Sequence, residues 1–373
     1  MKTCNEQLSQ LSRLVAARNY AGGEAICRQM ISRYDSLAHR LTDGFVYYKY
    51  NGYYNLASLQ ALQGRRAEAI SSLTQALADG KYEISYRQVL ADSTLSCILG
   101  DKALQPVLAG LKARTDYLQI LRDAPGYAIS PAVDKCVRVE YATPDDEGLK
   151  RVRQYFGLDS LVVPHDEVAT IKRILTFVHN RIRHDGLNGL PEGDANAVSF
   201  DEACKDGRRG LNCRGLATVL NECNLAMGIP SRVVTCLPKV YVSDCHVINA
   251  VYSQTLGKWL WMDPTNNAWV TDEQGHLLSI QEVRERLRSG QPLRLNKEAN
   301  WNNRTPVKAE RYLYDYMAKN LYFLECWSRY GFNTECSRSL HYILLSPVGC
   351  RISLCKAEEM NVNDDTDFWQ APQ

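Results

Sequence analysis

One cysteine of this chain has a setting that activates a thiol. Cys213 follows Asn212, a good helix N-cap, and apolar residues recur at helical spacing from 216 to 227. A thiol in the first turn of a helix meets the positive end of the helix dipole and unpaired backbone N–H groups, which favour the thiolate. The same N–H groups can hold a developing oxyanion. We therefore predict that Cys213 is a nucleophile.

A thiolate nucleophile needs a base, and the base needs an acceptor that orients it. His246 begins an apolar run, and Asp263 ends the next one after a short turn that contains a glycine. Such a pair of runs predicts a β-hairpin. If the turn is centred between Gln254 and Thr255, His246 lies directly opposite Asp263, within reach of a hydrogen bond. A loop of odd length would offset this pair by one residue.

Taken together, these residues resemble the core of the transglutaminase-like superfamily, which belongs to the papain-like cysteine enzymes. The motifs are Asn-Cys213-Arg on a helix that ends Gly-Ile-Pro, then Cys-His246-Val-Ile-Asn, then Trp-Met-Asp263-Pro. The resemblance is strongest over residues 210–265. It implies a nucleophile at Cys213, a general base and acid at His246, and an orienting carboxylate at Asp263. The fold it implies is a helix that carries the cysteine and packs on an antiparallel sheet.

The oxyanion hole departs from the better-known members. Animal transglutaminases supply an upstream Trp side chain, whereas every tryptophan here lies at or after position 259. Asn212, Asn180 and His179 are candidate donors, or backbone amides suffice. The remaining histidines, His184 among them, have no matching partner motif. No EF-hand or dense acidic loop is present, so calcium-regulated crosslinking is not expected.

Composition excludes several functional classes. The 373 residues include 44 Lys+Arg and 42 Asp+Glu, a net charge of +2 that gives no reason to expect nucleic acid as a partner. No apolar run approaches the roughly 20 residues of a transmembrane helix. The 13 cysteines are odd in number and never spaced CxxC, so we predict no disulfide framework, metal or cofactor. Twelve of them are interpreted as buried thiols.

This cysteine usage indicates a cytoplasmic protein. If an N-terminal signal has been removed from the sequence, a secreted or lipid-anchored protein is expected instead, with the lipid on Cys4.

Four regions are predicted to position these residues in an α+β fold. Residues 1–122 form a helical region, 123–144 a linker rich in proline and glycine, 145–290 the catalytic core, and 291–373 a C-terminal extension. The extension is expected to contain an aromatic helix and a strand, which either complete the sheet or form an accessory lobe, and an acidic, disordered tail over 358–367.

Further local patterns refine this organisation. Residues 53–81 resemble a tetratricopeptide (TPR) repeat, with small residues at Ala57, Ala69 and Ala76, although an irregular helical bundle remains the alternative. In the core, a long amphipathic helix is predicted from about 166 to 183. A capping box of Ser199 and Glu202 is expected to open the helix after it.

The sequence thus predicts a transglutaminase-like cysteine hydrolase, a peptidase or amidase that acts through an acyl-thioester on Cys213. Two alternatives remain open: crosslinking of protein glutamines by the same Cys213, His246 and Asp263, and a non-catalytic scaffold with a vestigial core. The substrate is expected to be a protein or peptide, with a possible protein partner on the N-terminal helices.

Overall fold

The computed structural model describes residues 2–37, 46–77, 84–128, 138–186, 188–240, 244–337, 340–352 and 359–372. The chain divides into two compact units, Met1–Tyr117 and Leu118–Gln373. Within the described ranges, no helix combines the length and the apolar character that crossing a membrane requires.

The described residues of the first unit form helices and turns, as predicted. Ala57, Ala69 and Ala76 have no exposed surface, so the two helices that carry them approach each other closely at these small side chains. The TPR resemblance stays a prediction. The helices are α1 (Lys2–Ala16), α2 (Tyr20–Leu37), α3 (Val46–Leu62), α4 (Arg66–Leu77), α5 (Tyr86–Ala91) and α6 (Gln105–Thr115), with 3₁₀ turns at Ser93–Leu95 and Lys102–Leu104.

The second unit combines helices with a sheet, which confirms the predicted α+β class. Its helices are α7 (Tyr117–Arg122, which begins at the boundary), α8 (Glu147–Phe156), α9 (Glu167–Arg181), α10 (Ala197–Cys204), α11 (Cys213–Ala226), α12 (Ile280–Ser289), α13 (Ala309–Arg311), a π-helix (Tyr312–Met317), α14 (Ala318–Asn320) and α15 (Asp365–Phe368), with 3₁₀ turns at Leu158–Leu161 and Thr334–Cys336.

Twelve strands are described in this unit. They are β1 (Glu140–Tyr141), β2 (Ser231–Leu237), β3 (His246–Ser253), β4 (Lys258–Met262), β5 (Val270–Thr271), β6 (Arg294–Leu295), β7 (Asn300–Trp301), β8 (Thr305–Pro306), β9 (Phe323–Trp327), β10 (Arg329–Tyr330), β11 (Tyr342–Leu345) and β12 (Glu359–Val362). Six of them form one sheet of order β12-β11-β9-β2-β3-β4. All neighbours in this sheet are antiparallel except β11 and β12, and α11 packs on β2 and β3.

The C-terminal extension completes the sheet rather than forming an accessory lobe. Strand β9 lies between β2 and β11, with Glu325 opposite both Thr235 and Leu344. The predicted aromatic helix over 306–327 is wrong beyond residue 320, because buried apolar residues continue there as β9. The expected disorder of the tail is also wrong where the tail is described, since β12 pairs with β11 and Phe368 is fully buried in α15.

The other strand pairs involve segments outside the large sheet. Part of the predicted linker, β1, pairs in parallel with β10. Strands β7 and β8 form a small hairpin over residues 300–306, which is called the 300–306 hairpin below.

The helix before the cysteine helix begins differently from the prediction. Asn196, not Ser199, is the N-cap of α10, and its side chain accepts the backbone N–H of Ser199 at 2.9 Å. The predicted long helix is present as α9, with Asp166 as its N-cap.

Candidate active site

Cys213 is the first residue of α11, as the sequence predicted. The side chain of Asn212 caps this helix by accepting the backbone N–H of Gly215 at 3.0 Å. Gly228 follows the other end with φ +75°, a conformation that favours glycine. The side chain of Asn249 on β3 donates to the carbonyl of Ala217 at 2.9 Å. The cysteine helix is thereby fixed to the strand that carries His246.

His246 and Asp263 meet, although the predicted hairpin register is wrong by two residues. The observed pairs Ser253–Lys258 and Asn249–Met262 place the centre of a four-residue turn one position later than expected. In this register the position of Asp263 is opposite Ile248 instead of His246, and His246 is its diagonal neighbour on the same face of the sheet. His246 Nε2 and Asp263 Oδ2 lie 2.8 Å apart, and both side chains are buried.

Asp263 is held as a carboxylate by donors from several segments. Its Oδ1 accepts the backbone N–H of Thr265 at 2.8 Å, and its Oδ2 accepts the side-chain amide of Asn266 at 2.8 Å. The hydroxyl of Tyr312 also donates to Oδ2, at 2.5 Å. Burial alone would raise the pKa of Asp263, but the charge of His246 and these hydrogen bonds lower it.

Sequence analysis missed the two tyrosines that complete this part of the site. Tyr312 and Tyr316 lie four residues apart on the π-helix, and the ring of Tyr316 packs edge-on against His246 with centroids 5.4 Å apart. π-helical turns are frequent at functional sites. The aromatic pattern of residues 306–327 was the available signal, but it did not indicate which partner the tyrosines would contact.

A second histidine contacts the thiol. His184 has no matching partner motif in the sequence, but in the structure its side chain, like that of His246, lies beside Cys213 and lowers the pKa of the thiol. The backbone brings His184 there, because residue 184 forms a parallel β-bridge with Leu211, just before the cysteine helix. The interpretation of His184 as a residue without a site partner was therefore wrong.

The 300–306 hairpin holds His184 from its other side. The side-chain amide of Asn302 spans the backbone of His184, accepting its N–H at 2.6 Å and donating to its carbonyl at 3.0 Å. The indole N–H of Trp301 donates to Nδ1 of His184 at 3.1 Å. Backbone and ring of this histidine are thus both fixed by one hairpin of the C-terminal extension.

The three side chains considered as oxyanion donors have other contacts. Asn212 caps α11, and His179 is buried between the carbonyl of Pro264, at 2.9 Å, and Asn300 Oδ1, at 3.0 Å. Asn180 lines a surface cavity of about 560 Å³ together with Lys172 and other residues of α9. None of these described contacts involves Cys213.

The charges at the site favour a thiolate beside an imidazolium. Burial alone would raise the pKa of the Cys213 thiol, but hydrogen bonds from His184 and His246 and the charge of His246 lower the pKa to about 6. Burial alone would lower the pKa of His246, but the charge and hydrogen bond of Asp263 raise it to about 10. Between these two values, Cys213 and His246 form an ion pair poised for nucleophilic attack.

Gly210 permits the close approach of the two segments that bring His184 to Cys213. A Cβ atom at position 210 would lie 2.2 Å from the backbone oxygen of Arg183. We expect Gly210→Ala to destabilise the fold by about 1–3 kcal/mol through this overlap and to lower activity by displacing residue 184. Denaturant unfolding measures the first effect and acylation of Cys213 the second. Gly189→Ala is the control, since an added Cβ there contacts nothing within 4 Å; equal behaviour of the two variants would contradict the prediction.

The comparison with family models agrees with the resemblance seen in the sequence. Residues 161–264, which include all three predicted catalytic residues, match the model of the transglutaminase-like superfamily. The crystal structure of a "putative cysteine protease" from Cytophaga hutchinsonii matches with 18% sequence identity and a TM-score of 0.25, covering 49% of this chain and 59% of that chain. The match thus spans less than two thirds of that protein. A comparison with curated proteins gives no match.

Proposed function

We propose that the transglutaminase-like core of this chain is a cysteine hydrolase that cleaves a peptide or carboxamide bond through an acyl-thioester on Cys213. One observation carries the proposal: the buried hydrogen bond of 2.8 Å between His246 and Asp263, in a core where His246 also lies beside Cys213 and lowers the pKa of its thiol. A nucleophile, a base and an orienting carboxylate in contact form the arrangement that nucleophilic acyl transfer needs.

The reaction follows from the protonation states of the site. The thiolate attacks the carbonyl carbon, a C–S bond forms, and the carbonyl electron pair moves to oxygen, where backbone N–H groups at the start of α11 stabilise the charge. Because Nε2 of His246 faces Asp263, its Nδ1 faces the thiol and donates a proton to the leaving amine as the C–N bond breaks. His246 then takes a proton from water, which attacks the thioester and releases the acid and the thiolate.

A vestigial core is a weaker alternative on physical grounds. Buried charges are costly unless they are paired and hydrogen-bonded. Asp263 and His246 remain buried with donors from the strand end, the loop after it and the π-helix. A scaffold that only binds a partner has no need of this pair, and apolar residues of similar volume would serve stability as well.

Selective alkylation tests the nucleophile. We expect iodoacetamide at pH 6.5 to modify Cys213 well ahead of the other twelve cysteines, because its thiol pKa is about 6 whereas burial raises the pKa of thiols such as Cys223 and Cys236 well above the ordinary value. The rate should rise as pH passes through about 6, because the reactive thiolate forms there. Peptide mapping by mass spectrometry identifies the modified residue. Cys97 and Cys336 are exposed, so the prediction that all twelve other cysteines are buried is wrong, and these two serve as internal references.

Removal of His246 supplies the second half of this test. His246→Ala should slow alkylation at pH 6.5 at least about tenfold, because the thiol loses the donor and the charge that lower its pKa. His276→Ala is the matched control, since the side chain of His276 is 76% exposed. Uniform labelling of the cysteines, or faster labelling elsewhere, would count against the proposal. Acyl-enzyme that transfers to added amines faster than it reacts with water would favour crosslinking over hydrolysis.

A further inference from the structure

His184 and His246 both lie beside the thiol of Cys213 and lower its pKa. The second hydrogen-bond partner of His246 is an acceptor, whereas that of His184 is a donor. Nε2 of His246 lies 2.8 Å from the carboxylate of Asp263, which accepts a proton-bearing nitrogen. Nδ1 of His184 lies 3.1 Å from the indole nitrogen of Trp301, which can only donate. One imidazole is therefore paired with a hydrogen-bond acceptor and the other with a hydrogen-bond donor.

The Trp301 contact determines which nitrogen of His184 carries hydrogen. Because the indole N–H occupies Nδ1, that nitrogen must be the acceptor, so neutral His184 carries its proton on Nε2. The ring nitrogen that remains for an interaction with Cys213, whose thiol pKa His184 lowers, is therefore Nε2, which carries the hydrogen. His184 thus has its donor on Nε2, whereas the ring of His246 is paired with a carboxylate.

We propose that His184 is the side-chain donor of the oxyanion hole, and that Trp301 is a positioning residue that fixes the Nε2–H tautomer of His184. This inference rests on the proposed function, because an oxyanion forms only when Cys213 attacks a carbonyl. A donor that contacts the sulfur of the nucleophile is placed next to the carbon–oxygen group that this sulfur attacks.

The rest of the hairpin supports a positioning role. Asn302 bonds both backbone groups of His184, and residue 184 is bridged to Leu211 on its other side. Loss of the Trp301 indole N–H would therefore change the ring of His184 more than its backbone. A pre-organised donor of this kind needs little reorganisation when the negative charge develops.

Two reactions of Cys213 separate an oxyanion donor from a group that only promotes the thiolate. Acylation by p-nitrophenyl acetate passes through a tetrahedral oxyanion, whereas alkylation by iodoacetamide does not. In His184→Ala at pH 8, we expect acylation to fall about 10²- to 10³-fold while alkylation changes less than about threefold. His184→Gln, which restores a side-chain N–H donor, should recover most of the loss. His276→Gln is the control for substitution of a histidine at an exposed position.

The role of Trp301 has its own measurement. ¹⁵N NMR of histidine-labelled protein should show His184 with hydrogen on Nε2 alone, and with a mixture of tautomers in Trp301→Phe, whose acylation should fall about tenfold. A single unchanged tautomer in Trp301→Phe would overturn the positioning role.

The outcomes of the acylation test distinguish the two proposals. Equal losses of acylation and alkylation in His184→Ala would overturn the oxyanion role and make His184 a promoter of the thiolate. Undiminished acylation in His184→Ala would overturn that role alone. If the wild-type protein is alkylated at Cys213 but is never acylated there, both this inference and the proposed function fail.

Discussion

Replacing Cys213 with alanine should lower acyl-enzyme formation at least about 10⁴-fold, because neither histidine can substitute for the thiolate as the attacking atom. The fold should change little. The N-cap bond from Asn212 to the backbone of Gly215 does not involve the thiol, so the expected change in the free energy of unfolding is below about 1 kcal/mol. Intact-protein mass spectrometry after addition of p-nitrophenyl acetate measures the first effect, and denaturant unfolding measures the second.

Cys223 is the matched control on the same helix. It is fully buried in the interior of α11, so Cys223→Ala should cost about 1–2 kcal/mol of stability by leaving a small cavity. Acylation of Cys213 should persist in this variant. The two variants should therefore behave in opposite ways. Cys213→Ala should lose activity and keep its stability, whereas Cys223→Ala should lose stability and keep its activity. Acylation that survives in Cys213→Ala would mean that another residue is the nucleophile.

The Asp263→Asn substitution should reduce acylation by about 10³- to 10⁴-fold with the site geometry largely kept. The amide has nearly the shape of the carboxylate but no charge, and its NH₂ group can donate to His246, which leaves the imidazole in an unsuitable tautomer. Without the charge of Asp263, the pKa of His246 falls, and the thiol pKa of Cys213 rises as the imidazolium is lost. Rates of acylation at pH 7 and of alkylation at pH 6.5 should both decrease.

Two further variants test whether the effect of Asp263→Asn comes from the loss of the carboxylate itself. Tyr312→Phe removes only one of the hydrogen bonds to Asp263 and should lower acylation about tenfold. The pair of His276 and Asp272, whose Nδ1 and Oδ2 atoms lie 3.0 Å apart, provides the control, and Asp272→Asn should leave acylation within about threefold of wild type. An Asp263→Asn variant as active as the wild type would contradict the triad assignment.

The hairpin of β3 and β4 shows which features follow from the local sequence pattern and which do not. The alternation of apolar residues and the glycine-containing turn predicted β3 and β4, because strand formation follows from local pattern. The register was wrong by two residues because the centre of the four-residue turn lies one position later than expected, and that centre depends on packing around the turn and not on the turn composition alone. His246 and Asp263 nonetheless meet, because positions 246 and 248 share one face of the strand.

The position of His184 beside Cys213 could not be predicted from the sequence. Nothing close to it in sequence identifies a partner: Trp301 and Asn302 follow more than a hundred residues later, and Cys213 lies beyond an intervening loop and helix. The contacts depend on the β-bridge to Leu211 and on the close approach that Gly210 permits. A single sequence does not show which residues so far apart in the chain will pair.

The sequence by itself predicted the three proposed catalytic groups through local rules: the N-cap and dipole at Cys213, the strand that begins at His246, and Asp263 directly after the next strand. Only the tertiary structure decided how these groups are supported. It added His184 at the thiol, Tyr312 at the carboxylate, and β9 between β2 and β11. The physical reason is that capping and strand patterns depend on near neighbours in the chain, whereas the donors around a buried charge come from whichever distant segments the packed core brings into contact.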